Sequence, residues 1–315
     1  MSHKLKIIFF SLYCLIVGCN HENNDKYSYR HSFQPIFTLS SDQMKGRKYD
    51  SFEAEISSFY LSSQFEKIGL KKCPSYKNYF QNFLTDDSIR VRNVIGYFEG
   101  TNSILKDEYI VISAHYDHLG VDENLKGDSI YNGARDNAVG VCALLEIAKY
   151  FSNNPPNHSI VFALFTGEEF GYIGSDYFVH HPPFFLNKFV FNFNIDNIGY
   201  DDRNSISIIG SGKTIADKHF KSSCDSLKLA LINNPCPEMR LFEKSDNFNF
   251  YQKGVPSITF CMGFSSFNDS IKKYYHKVND EYNTLDYFYI DKYIETAILS
   301  VENIDSEYVN TYWKN

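Results

Sequence analysis

The stretch Ser159-Ile-Val-Phe-Ala-Leu-Phe-Thr-Gly-Glu-Glu-Phe-Gly (residues 159–171) decides the predicted fold. Residues 160–165 form an unbroken run of aliphatic and aromatic side chains, typical of a strand buried on both faces of a sheet. Thr166-Gly167 ends the run, so Glu168 and Glu169 emerge at its carboxyl end, where open α/β sheets place their chemistry. Because adjacent residues point in different directions, one carboxylate can bind a metal while the other acts as a base. Taken alone, the pair is more typical of a solvated turn, so the rest of the chain decides.

Further apolar strands and helical segments extend this pattern along the chain. Strands are predicted at residues 90–98, 109–113, 189–195, 205–209 and 255–261, and helices at 50–69, 138–151, 214–229 and 285–308. Strands separated by helices indicate an α/β protein. We therefore expect a three-layer α/β/α sandwich with a mostly parallel, mixed central sheet.

Composition narrows the class of protein. A chain of 315 residues with 43% hydrophobic and 17% aromatic content can bury one large core. A formal net charge of −7 without a long basic run argues against a nucleic-acid partner, because phosphate binding needs clustered Lys and Arg. The seven cysteines form no C-x-x-C pair, so any metal should be held by His and carboxylate. Whether Cys224 and Cys236 form a disulfide stays open at this point.

The amino terminus predicts export. A short apolar run at residues 7–17 follows Lys4 and Lys6 and matches the h-region of a secretory signal better than a membrane span. Ile16-Val-Gly-Cys19 resembles a bacterial lipobox, in which cleavage leaves lipid on Cys19. We expect a lipoprotein signal peptide at 1–18, a tether at 19–40 and a folded domain at 41–315, anchored to a bacterial membrane and facing the periplasm or the exterior. An ordinary cleaved signal is the alternative.

Ligand-type side chains follow three of the predicted strands and two loops. They are His115 with Asp117, Glu168 with Glu169, and Asp196 after the strands, and Asp136 and His276 in the loops. If the strands are neighbours in one sheet, these side chains converge along its carboxyl edge. Mixed His and carboxylate ligands suit zinc in a catalytic site, and one carboxylate can bridge two metal ions. Because Asp117 lies two residues from His115, we expect its carboxylate to accept the free imidazole N–H.

Five segments, in order along the chain, resemble the motifs of a known family. They are His115-Tyr-Asp-His-Leu-Gly, Tyr131-Asn-Gly-Ala-Arg-Asp-Asn-Ala-Val-Gly, Gly167-Glu-Glu-Phe-Gly-Tyr-Ile-Gly-Ser, Asn194-Ile-Asp-Asn-Ile-Gly and Tyr275-His276. The family is the zinc-dependent aminopeptidases of peptidase family M28. Met44-Lys-Gly-Arg47 and Phe65-Glu-Lys-Ile-Gly-Leu70 also resemble its amino-terminal region, so the resemblance covers about residues 40–300.

The resemblance implies a site for two zinc ions per chain in an aminopeptidase-like domain. His115 and Asp196 would bind one zinc, Glu169 and His276 would bind the other, and Asp136 would bridge them. Substrates would be peptides with a free amino terminus, because the α-amine can also coordinate a metal.

The resemblance also assigns roles around the ions. Glu168 would be the general base that takes a proton from a water activated by the two zinc ions. Asp117 matches the carboxylate that supports a ligand histidine, and Asp280 matches an acidic partner near the last ligand. Tyr275 stands where some members place a phenol that stabilises the oxyanion.

Several residues depart from the family pattern or have no part in it. Arg135 replaces an acidic residue or Asn and would add a cation beside the site. Asn247 replaces the usual His in Ser245-Asp246-Asn247, and Lys277-Val278-Asn279 replaces the common Thr-Pro-x. These departures bear on substrate preference more than on catalysis. The histidines without a motif role are expected in loops or at the surface: His118, His180, His181 and His219.

Two other functions are compatible with the pattern. A glutaminyl-peptide cyclotransferase has a similar fold and ligand pattern with a single zinc, but its relatives place Trp next to the last ligand, where this chain has Tyr275. A non-catalytic binding lipoprotein would be expected to have lost ligands, whereas all five and the base are present here. Aminopeptidase is therefore the preferred interpretation.

Overall fold

The computed structural model describes residues 30–307 and residue 313, and its centre is an eight-stranded mixed sheet. Its strands, together with a small hairpin, are β1 (Phe80–Leu84), β2 (Arg90–Phe98), β3 (Tyr109–His115), β4 (Gly120–Val121), β5 (Ile130–Tyr131), β6 (Ser159–Phe165), β7 (Phe189–Ile195), β8 (Ser205–Ile209), β9 (Ala230–Asn233) and β10 (Ser257–Met262). Its α-helices are α1 (Gln34–Leu39), α2 (Phe52–Ile68), α3 (Gly140–Asn153), α4 (Ile173–His180), α5 (Asp217–Ser226), α6 (Asn247–Gln252), α7 (Asp269–Lys272) and α8 (Tyr287–Asp305).

The strand order places the predicted site strands side by side. The order is β1-β2-β6-β3-β7-β10-β8-β9, and β6, β3, β7 and β10 run parallel to one another. Strands β2 and β8 pair antiparallel with this central group, and β4 pairs with β5 in a separate two-stranded sheet. The predicted α/β fold with a mixed central sheet is confirmed.

The sheet divides the interior into two apolar layers. Along β6, Ile160, Phe162 and Leu164 join the larger cluster, which also contains residues of α2, α3, α5 and α8. The alternate residues Val161, Ala163 and Phe165 join a smaller cluster with residues of α4 and α6. Both faces of the strand are covered, which explains why its sequence is continuously apolar instead of alternating.

Local signals fix several element boundaries. The Ser51 side chain accepts a hydrogen bond from the Ala54 N–H at the start of α2, and Gly69, with φ of 91°, ends that helix. The predictions for residues 90–98, 189–195 and 205–209 coincide with β2, β7 and β8. The short edge strands β1 and β9 and the helix α1 were not predicted. Their few residues carry too little periodicity to stand out.

The amino-terminal edge of the folded domain lies before the predicted boundary at residue 41. Helix α1 occupies part of the segment assigned to a tether, and its Ile36 and Leu39 are fully buried in the larger apolar cluster. Burying these side chains removes them from water, so this part of the chain belongs to the core. The predicted signal peptide and Cys19 lie outside the described residues.

Two further findings concern the cysteines and the helices of the described residues. Cys224 and Cys236 are both buried free thiols, so they do not form a disulfide. Within residues 30–307, the helices lack the combination of length and apolar character that crossing a lipid bilayer requires.

Candidate active site

The sheet brings the predicted ligands to one edge. His115 is the last residue of β3, Asp196 directly follows β7, and Glu169 lies four residues beyond the end of β6. Because β3 is hydrogen-bonded to β6 on one side and to β7 on the other, the three strand ends are adjacent. The structure also brings Asp136 and His276 to this edge from two separate loops.

A first group of ligand atoms surrounds His115. Its Nε2 lies 3.2 Å from Asp196 Oδ1 and 3.2 Å from Asp136 Oδ1. The ligand-type atoms of the three residues all lie within 4.8 Å of one another. All three side chains are largely shielded from solvent, so their charges interact in a poorly screened environment.

A second group surrounds His276. Its Nε2 lies 3.3 Å from Asp136 Oδ2 and 3.1 Å from Glu169 Oε2. His276 has a φ of 53°, in the left-handed region that residues other than glycine rarely occupy. Asp136 therefore stands between the two groups, with one carboxylate oxygen toward His115 and the other toward His276.

The spacing and chemistry of these atoms fit zinc. Zinc binds imidazole nitrogen and carboxylate oxygen at about 2.0–2.2 Å, so neighbouring ligand atoms of a tetrahedral site stand roughly 3.3 Å apart or slightly more. The four contacts that the ligand histidines His115 and His276 make with carboxylates measure 3.1–3.3 Å, which is within a few tenths of an ångström of this spacing. The donors are imidazole and carboxylate without thiolate, the set used by catalytic zinc sites.

The electrostatics of the cluster also call for positive charge. Burial alone would lower the pKa of His115, but Glu168, Asp196 and other carboxylates raise it well above its usual value. Burial would likewise lower the pKa of His276, yet hydrogen bonds to Asp136 and Glu169 raise it to about 10. The carboxylates thus stabilise cations strongly, and divalent metal ions would provide that positive charge.

The bridging and loop carboxylates are held in the ionised form that metal ligands need. Burial would raise the pKa of Asp136, but hydrogen bonds with His115 and His276 outweigh it and hold the pKa well below its usual range. For Glu169, burial and Asp136 act in the same raising direction. His118 and His276 nevertheless bring its pKa down to about 2.

Glu168 differs from its neighbour Glu169. Its backbone N–H donates to Asp117 Oδ1 at 3.1 Å, and its carboxylate lines the site pocket. Burial, together with nearby Asp196 and Glu169, raises its pKa well above the usual value although His115 opposes this. A carboxylate with a raised pKa accepts protons readily, as a general base must.

Asp117 supports the site in a different way from the prediction. His115 Nδ1 lies 3.2 Å from the backbone carbonyl oxygen of Asp117 and 3.7 Å from its Oδ1. The carbonyl, and not the carboxylate, is therefore the imidazole's acceptor, because 3.7 Å exceeds hydrogen-bond distance. The carboxylate instead accepts the Glu168 N–H, so Asp117 links the first ligand to the candidate base.

Asp280 and Arg135 position the loop that carries Asp136. The Asp280 carboxylate accepts the backbone N–H of Arg135 and, at 3.1 Å, that of Asp136, and it pairs with Arg135 Nη1 at 3.0 Å. The Arg135 guanidinium lies 3.7 Å from the centre of the Tyr274 ring and donates to Thr284. Arg135 thus adds the expected cation beside the site, and the carboxylate of Asp280 neutralises its charge.

Arg47 is a second buried cation that ties loops together. It is fully buried, and its guanidinium donates to the carbonyls of Leu39, Tyr116, Asn132 and Gly133. Burial lowers its pKa to about 10, opposed by Asp117 and Asp136, so it stays protonated near neutral pH. It joins the amino-terminal segment to the loops on both sides of the metal ligands.

The site includes a histidine that sequence reasoning set aside. His118 was expected to be a loop or surface histidine without a role in the site. It does lie in a loop, but it is fully buried, with Nδ1 2.6 Å from Glu169 Oε1. Its place three residues after His115, within one motif, was the signal that could have identified it. His180 and His181 are exposed, as expected.

A pocket of about 320 Å³ opens beside the ligands. Its lining includes the site residues Asp136, Glu168, Glu169, Asp196 and His276 and the apolar residues Ile198, Ile209, Met239, Leu241 and Phe267. Tyr275 also lines it and stacks on His276 with ring centres 4.0 Å apart, and burial raises the pKa of its phenol. The pocket is thus lined by both charged and apolar side chains.

The Ser245-Asp246-Asn247 segment lies beneath this pocket. Ser245 reaches the pocket surface, whereas Asn247 is fully buried and donates to the Phe242 carbonyl. Asp246 is also fully buried, and burial raises its pKa to about 7, opposed by His115. The Asn247 departure therefore acts on the chain under the pocket instead of touching a substrate.

The fold and the His–carboxylate cluster define an α/β protein with a candidate metal site at the edge of its sheet. A model of peptidase family M28 matches residues 93–301, which is well over half of the chain. The chain therefore belongs to peptidase family M28, a family of metallopeptidases.

Individual relatives agree with this family. Aminopeptidase YwaD of Bacillus subtilis (strain 168) is 27% identical over 202 residues, covering 60% of this chain and 39% of that protein. A vacuolar membrane protease of Kluyveromyces lactis is 28% identical over 153 residues, covering 46% of this chain and 16% of that protein. The chain thus spans about two-fifths or less of the length of these relatives.

Solved structures share the fold at low identity. BSAP, a zinc aminopeptidase from Bacillus subtilis, matches with a TM-score of 0.69 at 14% identity, covering 89% of this chain and 96% of that chain. A glutaminyl cyclase from Porphyromonas gingivalis matches with a TM-score of 0.68 at 17% identity, covering 88% of this chain and all of that chain. At these identities, both matches show similarity of the fold.

Proposed function

We propose that this protein is an exported aminopeptidase that uses two zinc ions to remove amino-terminal residues from peptides. The observation that carries the proposal is the position of Asp136, whose two oxygens each face a different ligand histidine at 3.2 and 3.3 Å. A carboxylate placed in this way suits a bridge between two metal ions about 3.5–4 Å apart. Membership of peptidase family M28 supports the same activity.

Five residues would bind the metal ions and one would transfer protons. His115, Asp196 and Asp136 would hold one zinc, and Glu169, His276 and Asp136 would hold the other. Bound zinc ions supply Lewis acidity, which polarises a carbonyl and lowers the pKa of water. The Glu168 carboxylate would take the proton from the attacking water and pass it to the leaving amine.

The rest of the site would orient the peptide. The apolar lining residues Ile209, Met239 and Leu241 would suit a side chain of the substrate, while the carboxylates of the site would accept its free α-amine. Tyr275 keeps its proton at neutral pH because burial raises its pKa, so its hydroxyl would donate to the oxyanion.

A glutaminyl cyclase is the second candidate, because a protein of that activity has the same fold. The chain's only Trp is Trp313, which donates to the Gly254 carbonyl, and the residue that stacks on His276 is Tyr275. The side chain beside the last ligand is therefore a phenol, which favours the peptidase.

One experiment separates the two activities. The purified protein should be assayed with leucyl and glutaminyl peptides, each with a free or an acetylated amino terminus, and zinc should be counted per chain. We expect two zinc ions and release of free amino acids from unblocked peptides alone. Loss of ammonia from the glutaminyl peptide, with the leucyl peptide intact, would favour the cyclase and contradict the aminopeptidase.

The proposal includes a lipid anchor on Cys19 that holds the protein at a bacterial membrane. Its support is the lipobox-like sequence Ile16-Val-Gly-Cys19 after a short apolar run. Metabolic labelling with a fatty acid should mark the wild type and leave Cys19→Ser unlabelled. Equal labelling of the two forms would remove the lipoprotein part and leave the enzymatic part untouched.

A further inference from the structure

His118 has a contact that the metal-ligand assignment does not use. It lies on the loop after β3, is fully buried, and places Nδ1 2.6 Å from Glu169 Oε1. Its Nε2 is also buried and has no hydrogen-bond partner among the described residues. A buried ring nitrogen without a partner costs free energy of folding, because buried polar atoms are normally paired, so it calls for an explanation.

The surroundings of His118 hold the ring in one position. Its backbone N–H donates to the Arg47 carbonyl at 3.3 Å, and its ring meets the His276 ring at a steep angle with centres 5.7 Å apart. Gly133 packs so closely that a Cβ atom there would come within 2.7 Å of the His118 ring. The imidazole therefore has little freedom to turn away from Glu169.

The length of the contact distinguishes a hydrogen bond from shared metal coordination. Two ligand atoms of one tetrahedral zinc stand roughly 3.3 Å apart or slightly more. The contacts of His276 with Asp136 and Glu169 are 3.3 and 3.1 Å, but that of His118 with Glu169 is 2.6 Å. The shorter distance is that of a charge-assisted hydrogen bond.

The direction of this hydrogen bond follows from the metal chemistry. A carboxylate that binds a metal is ionised and can only accept hydrogen bonds. His118 Nδ1 must therefore carry the proton and donate it to Glu169 Oε1. The other carboxylate oxygen, Oε2, remains directed toward His276, 3.1 Å from its Nε2.

We propose that His118 is a positioning residue of the second metal site: its Nδ1–H holds Glu169 Oε1, so that Oε2 alone faces the metal shared with His276 and Asp136. This inference rests on the two-metal function proposed above. Such hydrogen bonds orient a ligand, and their removal typically weakens metal binding about 10–100-fold.

The test uses three substitutions that separate the two ring nitrogens. In His118→Asn the amide nitrogen takes the place of Nδ1, in His118→Gln it takes the place of Nε2, and His118→Ala removes both. Metal-free protein of each variant should be titrated with zinc by calorimetry, and with cobalt by visible absorption. His158→Ala is the matched control, because His158 is also fully buried and lies 3.1 Å from the carboxylate of Asp305.

We expect His118→Ala and His118→Gln to weaken one of the two metal positions about 10–100-fold and to leave the other unchanged. His118→Asn should recover most of the affinity, and His158→Ala should bind both ions as the wild type does. Wild-type affinity in His118→Ala would overturn the inference. Equal weakening in the Asn and Ala variants would also overturn it, because it would make His118 a direct ligand. Equal weakening of both metal positions would overturn it as well.

The same titration separates this inference from the proposed function. A wild type that binds a single ion would contradict the two-zinc proposal before any variant is compared. His118 would then still be a positioning residue if His118→Ala weakened that ion and His118→Asn restored it. Any other pattern would overturn both.

Discussion

The two halves of the ligand cluster differ in how the chain holds them. His115 and Asp196 lie at the ends of β3 and β7, and their side chains are 1% and 14% exposed. His276 lies on the loop after α7 and is 35% exposed. The sheet fixes the first half through the hydrogen-bonded backbones of its strands, whereas the second half depends on contacts between loops.

The comparison shows that one site can combine ligands at strand ends with ligands on loops. Asp136 belongs to both, and its loop is held by Asp280 and Arg135 instead of by a strand. We therefore expect the sheet-borne half to persist when the loops are disturbed, and the loop-borne half to fail first. Substitutions and metal removal can test this difference.

Replacing Asp136, whose carboxylate both halves of the site share, should affect metal binding at both positions. Asp136→Ala should lower metal occupancy at both positions and reduce hydrolysis to background, because both ligand histidines lose a common partner. His276→Ala should empty mainly one position. Metal analysis and anomalous scattering measure the two occupancies. Retention of two full metal ions by Asp136→Ala would show that the carboxylate does not bridge.

The adjacent carboxylates should respond differently to the same substitution. Glu168→Gln should keep both metal ions and lose about 10²–10⁴-fold in kcat, because it removes the proton acceptor without changing a ligand. Glu169→Gln serves as its partner and should weaken metal binding in the loop-borne half. Steady-state kinetics and metal content together decide this. Equal metal loss in the two variants would remove the division of roles.

The buried Asp280–Arg135 pair, which holds the loop of Asp136, should stabilise the folded protein. Asp280→Ala leaves the Arg135 guanidinium buried without its partner, which should lower the free energy of unfolding by about 3–5 kcal/mol. The control is Asp225→Ala, which removes the solvent-exposed pair with Lys221 and should change stability little. Urea unfolding of the metal-free proteins measures both. Similar values for the two variants would show that the buried pair does not stabilise the loop.

Mild chelation should remove the metal ions from the two halves of the site one after the other. The ion at the loop-borne half should leave first, with a dissociation constant larger by about tenfold, which corresponds to about 1.4 kcal/mol. Crystals treated with a limited amount of chelator would show which position keeps its ion. Loss from the His115 and Asp196 side first, or simultaneous loss from both, would reverse the comparison.

Patterns within single segments carried much of the fold prediction. Strands β2, β7 and β8 were placed at their observed ends, because each is an apolar or alternating run bounded by polar residues. The convergence of His115, Glu168, Glu169 and Asp196 followed from a general rule, since parallel strands end at the same edge of a sheet. These inferences need only the order of residues along the chain.

Contacts between distant segments could not be predicted in this way. The place of His118 depends on Glu169, 51 residues away, and that of Arg135 on Asp280, 145 residues away. The acceptor of His115 Nδ1 was assigned to the wrong oxygen of Asp117, because the choice depends on backbone direction in the loop. The segment of helix α1 was predicted to belong to a tether. Its few apolar residues can be recognised as core residues only from the tertiary contacts that bury them.

The α/β class, the family, and the residue types that gather at the sheet edge could therefore be inferred from the order of residues alone. Alternation, apolar runs and motif spacing are local properties, so they can be recognised from the sequence without the tertiary structure. The tertiary structure decided which ligand atoms face one another, which cation is neutralised, and which histidine supports Glu169. Those outcomes depend on distances of about 3 Å between loops that are far apart in sequence, where hydrogen-bond geometry selects the partner.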